Sequence, residues 1–309
     1  MLDLVFLTDY LAATLRLSVP LGFAALGGLW SERSGVLNIG LEGMLLSGAF
    51  AAAWGTFSTG NPWVGVLMAL LTGAGTGLVH AGLCVSLQVN QLVSGLAINL
   101  TASGLTAFLS RLVFQEDAIK RLPHLSQIVV PGLNSLPLLG PLLFQQDLLV
   151  YGLLLLIPLS SYLLFQTSFG LALRAVGEYP RAADTAGIQV LRVRYLSVML
   201  SGALAGLAGA YLTLVQVGFF TEDMSAGRGF IALAALIFGR WHPIGTALAC
   251  LLFGATEALQ LRIQTFNLNI PYQFLIMLPY GIALVAMIGL AGKAAAPAAL
   301  GIPYVKEDK

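Results

Sequence analysis

The stretch GLALRAVGEYPRAADTAGIQVLRVR, residues 170–194, decides how this chain is organised. It is a polar island, because residues 148–173 before its charged part and 195–221 after it contain no Asp, Glu, Lys or Arg. Pro180 suits the first position of a helix, where its missing N–H costs nothing, and Gly187 can end that helix. The pattern predicts a short polar helix held between two apolar spans, with arginines around a small apolar face, which is made of Tyr179, Ala182, Ala183 and Ala186.

The composition is that of a membrane protein. Only 9% of the 309 residues are charged, whereas soluble domains average about 25%. Residues 43–110 contain no Asp, Glu, Lys or Arg, and a membrane-spanning helix needs roughly 20 apolar residues. We therefore predict an all-α polytopic protein with about nine spans (eight to ten), since lipid cannot satisfy irregular backbone. The predicted spans are 10–30, 36–57, 62–87, 92–114, 148–168, 194–217, 228–239, 243–261 and 271–290.

Lysines and arginines near the span ends predict the orientation. If the island is cytoplasmic, nine of them lie inside and five outside. We accordingly expect one membrane domain over residues 1–309, with a cytoplasmic segment at 174–190, an external loop at 115–147 and a cytoplasmic tail at 291–309. The segment 228–239 is too short to cross alone and predicts an interrupted helix.

Two parts of the chain, about 180 residues apart, indicate an internal repeat. Asn61-Pro62 is followed by Gly73, and His242-Pro243 is followed by Gly254 at the same spacing. The copies are separated by an odd number of spans, which predicts inverted topology. Inverted repeats with interrupted helices are a transporter architecture in which the substrate binds near the repeat interface. Chance similarity between apolar helices is the alternative.

Three runs carry a family resemblance: ALGGLWSERSGVLNIGLEGMLLSGAFAA (Ala25–Ala52), AVGEYPRAADTAGIQV (Ala175–Val190) and GRGFIALAALIFGRWHPIGTALACLLFG (Gly227–Gly254). They resemble permease subunits of ABC importers of the ribose and branched-chain amino acid type, and their sequences are most similar to the nucleoside-importer branch. One departure is His242, where the family pattern more often has Asn.

The resemblance implies the function, the partners and the coupling residues. It implies a non-enzymatic permease in the inner membrane that moves nucleosides by alternating access. The implied partners are a separate ATPase that uses ATP and Mg²⁺, a second permease and an external substrate-binding lipoprotein, besides membrane lipid. The chain has no phosphate-binding G-x-x-x-x-G-K-[ST] motif, so no cofactor is expected on it. The implied ATPase-coupling residues are Gly177, Pro180, Arg181, Ala182, Ala183 and Gly187.

Polar and aromatic residues inside the predicted spans are candidates for the substrate pathway, because such groups are costly in lipid. These candidates are Asn38, Glu42, Asn99, Phe230 and Glu257. Each also has a structural interpretation, namely tying an interrupted helix to its neighbour or, for Phe230, anchoring at the membrane interface. No basic patch for nucleic acid and no Ser-His-Asp, paired-carboxylate or metal-ligand pattern is present.

The cargo and the energy source have alternatives. The same permease architecture is compatible with a simple sugar or a branched-chain amino acid. An ion-coupled secondary transporter is a further alternative, but it has no need for a docking helix at 174–190. A membrane-embedded enzyme is disfavoured by the lack of a catalytic pattern.

Overall fold

The computed structural model describes residues 2–114, 121–129, 131–132, 134, 139–265 and 296–305, and the single positions 273, 277, 281 and 285. The helices and strands, in chain order, are α1 Leu2–Arg33, α2 Leu41–Thr59, α3 Pro62–Ala81, α4 Gln91–Phe114, β1 Gln127–Val129, α5 Leu139–Leu143, β2 Gln145–Asp147, α6 Leu148–Gln166, α7 Ser168–Glu178, α8 Pro180–Thr185, α9 Val190–Tyr211, α10 Arg228–Phe238 and α11 Pro243–Thr265. Single π-helical segments extend α3 to Ser86 and α9 to Val217.

The all-α polytopic class is confirmed, but the count of nine spans is not. In the described ranges six helices are long and apolar enough to cross a membrane, and they lie in α1, α3, α4, α6, α9 and α11. The predicted span 36–57 corresponds to α2, which has 19 residues and is buried along most of its length by other helices. The predicted span 228–239 is the 11-residue α10. The predicted span 271–290 lies outside the described residues apart from four single positions.

Several helices begin at residues that satisfy the first backbone N–H groups, as helix ends require. Asn61 accepts a hydrogen bond from the Trp63 N–H at 2.9 Å and places Pro62 at the start of α3. Asp147 accepts from the N–H groups of Leu149 and Val150 and so starts α6. Burial raises the pKa of the Asp147 carboxyl, and these N–H donors act in the opposite direction.

The centre of the molecule is a tight packing of α2 and α3 against α9. Gly73 of α3 and Gly48 of α2 both lie against the backbone of α9, at Gly202 or Gly206. A Cβ on Gly206 would collide with the carbonyl of Ala69. Small residues permit this close approach, and in lipid van der Waals packing of this kind drives helix association.

The described loops divide into two ends of the bundle. At one end the Leu37 N–H donates to Gln91 Oε1 at 2.7 Å, and Arg33 Nε donates to the Trp241 carbonyl at 2.8 Å. At the other end the Leu122 N–H donates to the Gly218 carbonyl at 2.8 Å.

The order of elements repeats within the chain. The spans in α1 and α9 each have 28 residues, each is followed by a break and a shorter helix, and Pro62 or Pro243 then opens the next long helix. The helices α1 and α9 finish at opposite ends of the bundle. The segment between α4 and α6 adds a small antiparallel pair, in which Gln127 lies opposite Asp147, Ile128 opposite Gln146 and Val129 opposite Gln145.

Candidate functional site: the junction of two interrupted helices

The start of α2 is held by a side chain from α4. Asn99 Oδ1 accepts a hydrogen bond from the Gly43 N–H at 2.8 Å, and Asn99 Nδ2 donates to the Ile39 carbonyl at 3.0 Å. Gly40, which precedes α2, offers no side chain to cap it. Unpaired backbone groups within lipid cost several kcal/mol each, so Asn99 supplies the partner that the local sequence lacks.

The start of α10 is held by a side chain from α2. The two carboxylate oxygens of Glu42 accept from the backbone N–H groups of Gly227, at 2.8 Å, and Gly229, at 2.6 Å. The negative charge lies at the positive end of the α10 dipole, where it is stabilising. Gly229 packs so closely that a Cβ there would be 2.5 Å from the Glu42 Cα. One carboxylate therefore joins two helices whose contacting residues are more than 180 positions apart.

This junction lies deep in the bundle. Asn99 is eight residues into α4, which at 1.5 Å per residue places it about 12 Å from the helix start. The hydrocarbon layer is about 30 Å thick, so the two short helices begin near its middle. Both helix N-termini are thus brought to the depth at which transporters of inverted-repeat type bind their cargo.

The other predicted pathway residues surround the same helices. Arg228 Nη2 and Glu257 Oε1 form an ion pair at 2.7 Å, which ties the start of α10 to α11. Phe230, one residue beyond Gly229, has 46% of its surface exposed. Asn38 is fully buried, and its Nδ2 donates to Ser201 Oγ at 2.9 Å. Of the five candidates, four have polar groups engaged by the protein, and Phe230 is turned outward.

Two contacts that the sequence analysis missed link α4 to the segment before α10. Arg111 donates to both carboxylate oxygens of Glu222, at 2.7 and 3.0 Å, and Ser103 Oγ donates to Asp223 Oδ1 at 2.6 Å. The hydrogen bonds and positive charge of Arg111 lower the pKa of the Glu222 carboxyl. The sequence signal for both links is the acidic pair Glu222-Asp223 between apolar runs, although it does not identify the partners.

The predicted coupling segment lies at the end of the bundle that contains Arg33. Pro180 occupies the first position of α8, and Gly187 follows that helix with a φ of +84°, as its predicted stopping role requires. Tyr179 is 72% exposed, and Arg181, Ala182 and Ala186 are exposed beside it. These residues make an outward surface on a loop between α6 and α9.

Two of the predicted coupling residues do not lie on that surface. Ala183 is 4% exposed and packs with Val176, Val190 and Tyr304, so its predicted place on the outward apolar face is wrong. Gly177 is also buried, and a Cβ there would collide with the Arg33 carbonyl. The spacing predicted that Ala183 shares an exposed helix face with Tyr179. Ala183 instead faces the protein interior, because α8 packs against α7 and α9.

A second missed cluster lies at the same end. Trp241 Nε1 donates to Glu32 Oε2 at 2.6 Å, and the His242 ring stacks on Phe165 with centroids 4.8 Å apart. Burial and the nearby positive charge of Arg33 lower the pKa of the His242 imidazole. These contacts tie the α10–α11 turn to α1 and α6. Within the described ranges no group of three His, Cys, Asp or Glu side chains is placed to hold a metal ion.

The described geometry agrees with comparisons to known proteins. Residues 10–278 match the model of the family "Branched-chain amino acid transport system / permease component". The chain is 41% identical to the guanosine ABC transporter permease protein NupQ of Bacillus subtilis, over 99% of each chain. It is 40% identical to the nucleoside ABC transporter permease protein NupC of Lactococcus lactis, over 94% of each chain.

A third relative is named for a different substrate. The putative glucose ABC transporter permease protein TsgC13 of Haloferax volcanii is 40% identical over 85% of this chain and 80% of its own. No solved structure matches the chain significantly. The family match covers most of the chain, and the apolar helices are those of an integral membrane protein. This chain is a multi-pass membrane protein that belongs to the permease family of branched-chain amino acid transport systems.

Proposed function

We propose that the chain is a permease subunit of an ATP-driven ABC importer that carries nucleosides across the cell membrane. The observation that carries this proposal is the identity of about two residues in five, over nearly the full length, with two permeases named for guanosine and nucleosides. The part of the chain matched by the guanosine permease covers 99% of its length.

A second permease subunit completes the proposed pathway. Bacillus subtilis also has the guanosine permease protein NupP, 28% identical to this chain, and Lactococcus lactis has the nucleoside permease protein NupB, 26% identical. In each organism, two permeases are named for the same substrate, and one of them is much more similar to this chain than the other. We infer that this chain likewise pairs with a related but different permease, and that a lipoprotein outside the cell delivers the cargo.

The coupling segment is the proposed docking element for a separate ATPase. Its exposed surface combines Tyr179, Ala182 and Ala186 with the positive charge of Arg181. The segment lies outside the membrane spans, where lipid cannot cover an exposed aromatic ring. ATP and Mg²⁺ belong to the partner chain, and movement of α8 is passed to α7 and α9, which it contacts directly.

At the membrane midplane Glu42 and Asn99 hold the two interrupted helices together, and the proposed substrate pathway runs beside them along the exposed Phe230. In this mechanism the braced helices move as one body between outward-open and inward-open states. The two side chains then act on transport through helix placement, and direct contact with the cargo is assigned to Phe230. An aromatic ring can stack on a nucleobase, as it does in nucleic-acid complexes.

The test is uptake into vesicles that contain this chain, its partner permease and the ATPase, with the binding protein outside and ATP inside. Radiolabelled guanosine, glucose and leucine are supplied one at a time. We expect uptake of the nucleoside alone, and we expect Arg181→Glu to abolish it while Arg192→Glu, a matched exposed arginine beyond α8, reduces it less.

Glucose is the second candidate cargo, because the Haloferax volcanii relative is as similar in sequence as the nucleoside permeases over the part that aligns. Uptake of glucose without guanosine would retain the importer and replace the cargo. Uptake that continues without ATP would instead favour an ion-coupled carrier and contradict the proposed mechanism.

A further inference from the structure

The C-terminal segment 297–305, called the strap below, lies across the coupling segment. The Ala299 N–H donates to the Gly177 carbonyl at 2.9 Å, and the Ala298 N–H donates to Glu178 Oε2 at 3.1 Å. The Gly301 N–H donates to the Gly35 carbonyl at 3.2 Å. The strap is therefore hydrogen-bonded both to the end of α7 and to the loop between α1 and α2.

A buried arginine of α9 bonds to two of these pieces, the α1–α2 loop and the strap. Arg194, in the first turns of α9, is 1% exposed. Its Nε donates to the Ser34 carbonyl at 3.2 Å, and its Nη1 donates to the Ile302 carbonyl at 3.1 Å. Burying a guanidinium is costly unless it is hydrogen-bonded, so separating either carbonyl from Arg194 is unfavourable.

The end of the strap is anchored in the apolar interior of the coupling segment. Tyr304 is 7% exposed and packs with Val176 of α7, Ala183 of α8 and Val190 of α9. This small cluster is the reason that Ala183 turns inward. The position of α8 therefore depends on a residue near the C-terminus, more than 100 positions away in the sequence.

The junction has no room for its parts to slide past one another. Gly35 has a φ of +88°, and a Cβ there would be 2.9 Å from Arg194 Nη2 and 3.4 Å from the Gly177 Cα. Gly177 in turn lies against the Arg33 carbonyl. Close-packed elements of this kind transmit displacement, because they have low compressibility.

We propose that the strap and Arg194 form a transmission junction, which carries displacement of the coupling segment into the α1–α2 loop and so to the midplane brace at Glu42 and Asn99. The loop 34–40 leads directly into α2, and Glu42 is the second residue of that helix. Arg194 and Tyr304 are positioning residues in this scheme. The inference rests on the proposed function, since it needs a partner that moves the coupling segment.

The experiment compares Arg194→Gln and Tyr304→Ala with the control Ile302→Ala in the complete transporter. The Ile302 side chain is 56% exposed, and its replacement keeps the carbonyl that accepts from Arg194. Nucleoside uptake per ATP hydrolysed and binding of the ATPase are both measured. We expect the two test variants to lose at least about tenfold in uptake per ATP, at 1.4 kcal/mol for each factor of ten, with ATPase binding changed less than about twofold.

A conservative variant tests the geometry of the junction. Arg194→Lys keeps the positive charge but places a single nitrogen where Arg194 uses Nε and Nη1, so it cannot reproduce the geometry of both hydrogen bonds. Its uptake per ATP should lie between those of the wild type and Arg194→Gln. A merely structural role would lower the amount of folded protein and leave uptake per ATP the same. That result, or equal coupling in all variants, would overturn the inference.

Hydrogen exchange on the wild-type complex keeps the inference testable if the variants do not fold. We expect ATP binding to change the protection of amides 298–302 together with that of amides 177–188. A strap that stays unchanged while the coupling segment responds refutes the transmission role. Wild-type uptake of nucleosides is measured separately in the same preparation, and its absence would contradict the proposed function. The hydrogen-exchange result would still test the transmission role of the strap.

Discussion

Removing the Glu42 carboxylate is the perturbation that best tests the midplane junction. Glu42→Ala leaves the N–H groups of Gly227 and Gly229 without their acceptor, at the start of a helix that has no side-chain cap of its own. Glu42→Gln keeps one acceptor oxygen but loses the negative charge and one of the two hydrogen bonds. The two variants therefore remove different parts of one interaction.

The expected magnitudes follow from these contacts. A buried donor left unsatisfied costs about 1–3 kcal/mol, so two such donors in Glu42→Ala cost roughly 4 kcal/mol of unfolding free energy. Loss of one charged hydrogen bond and of the favourable helix-dipole interaction in Glu42→Gln costs about 2 kcal/mol. Glu222→Gln is the control, because that carboxylate is on an exposed ion pair, and we expect no measurable change there.

The assay is reversible unfolding of the purified protein in detergent, followed by tryptophan fluorescence, with uptake measured in parallel. We expect the order wild type, Glu42→Gln, Glu42→Ala in stability, and a fall in uptake that follows it. If Glu42→Ala is as stable as the wild type and yet transports nothing, Glu42 contacts the cargo, and the bracing role is refuted.

Three further outcomes are expected. Gly206→Ala should destabilise the protein by about 3 kcal/mol, because the added Cβ overpacks against backbone. Gly75→Ala, which has open space at its Cβ, should not destabilise the protein in the same unfolding assay. Ala183→Trp should prevent folding, which size-exclusion chromatography would reveal, but the exposed Ala182→Trp should leave a folded protein that fails to couple ATP hydrolysis to uptake. Because the pKa of His242 is lowered in the folded state, the unfolded chain takes up a proton at this imidazole first as the pH falls. The free energy of unfolding should therefore be constant above the ordinary imidazole pKa and decline as the pH falls through it. Unfolding curves between about pH 7.5 and 5.5 should show a smaller decline for His242→Asn.

Local patterns in the sequence predicted the helices well. The predicted spans 62–87, 92–114 and 148–168 agree with the structure to within two residues, and Pro180 and Gly187 have their predicted places in the coupling segment. These features depend on the length of apolar runs and on residues with restricted backbone or no side chain, which act within a few positions of the chain.

Span counting was less successful because hydropathy does not distinguish lipid from protein as the apolar surroundings. The predicted span 36–57 became α2, which is covered by neighbouring helices along most of its length. Periodicity had the same limit at Ala183. It shows which residues share a helix face, but not which neighbour covers that face.

The sequence by itself determined that this is a polytopic membrane protein, that 228–239 is a short helix and that a polar segment with Pro180 at a helix start lies between two apolar spans. These features follow from composition, spacing and short-range helix chemistry. Only the tertiary structure decided what the polar residues do. Asn99 caps α2 and Glu42 caps α10, and the strap meets Gly35 and Gly177. Each of these hydrogen bonds joins groups from 56 to more than 260 positions apart, and a polar group in lipid must pair with whichever partner the folded chain brings to it.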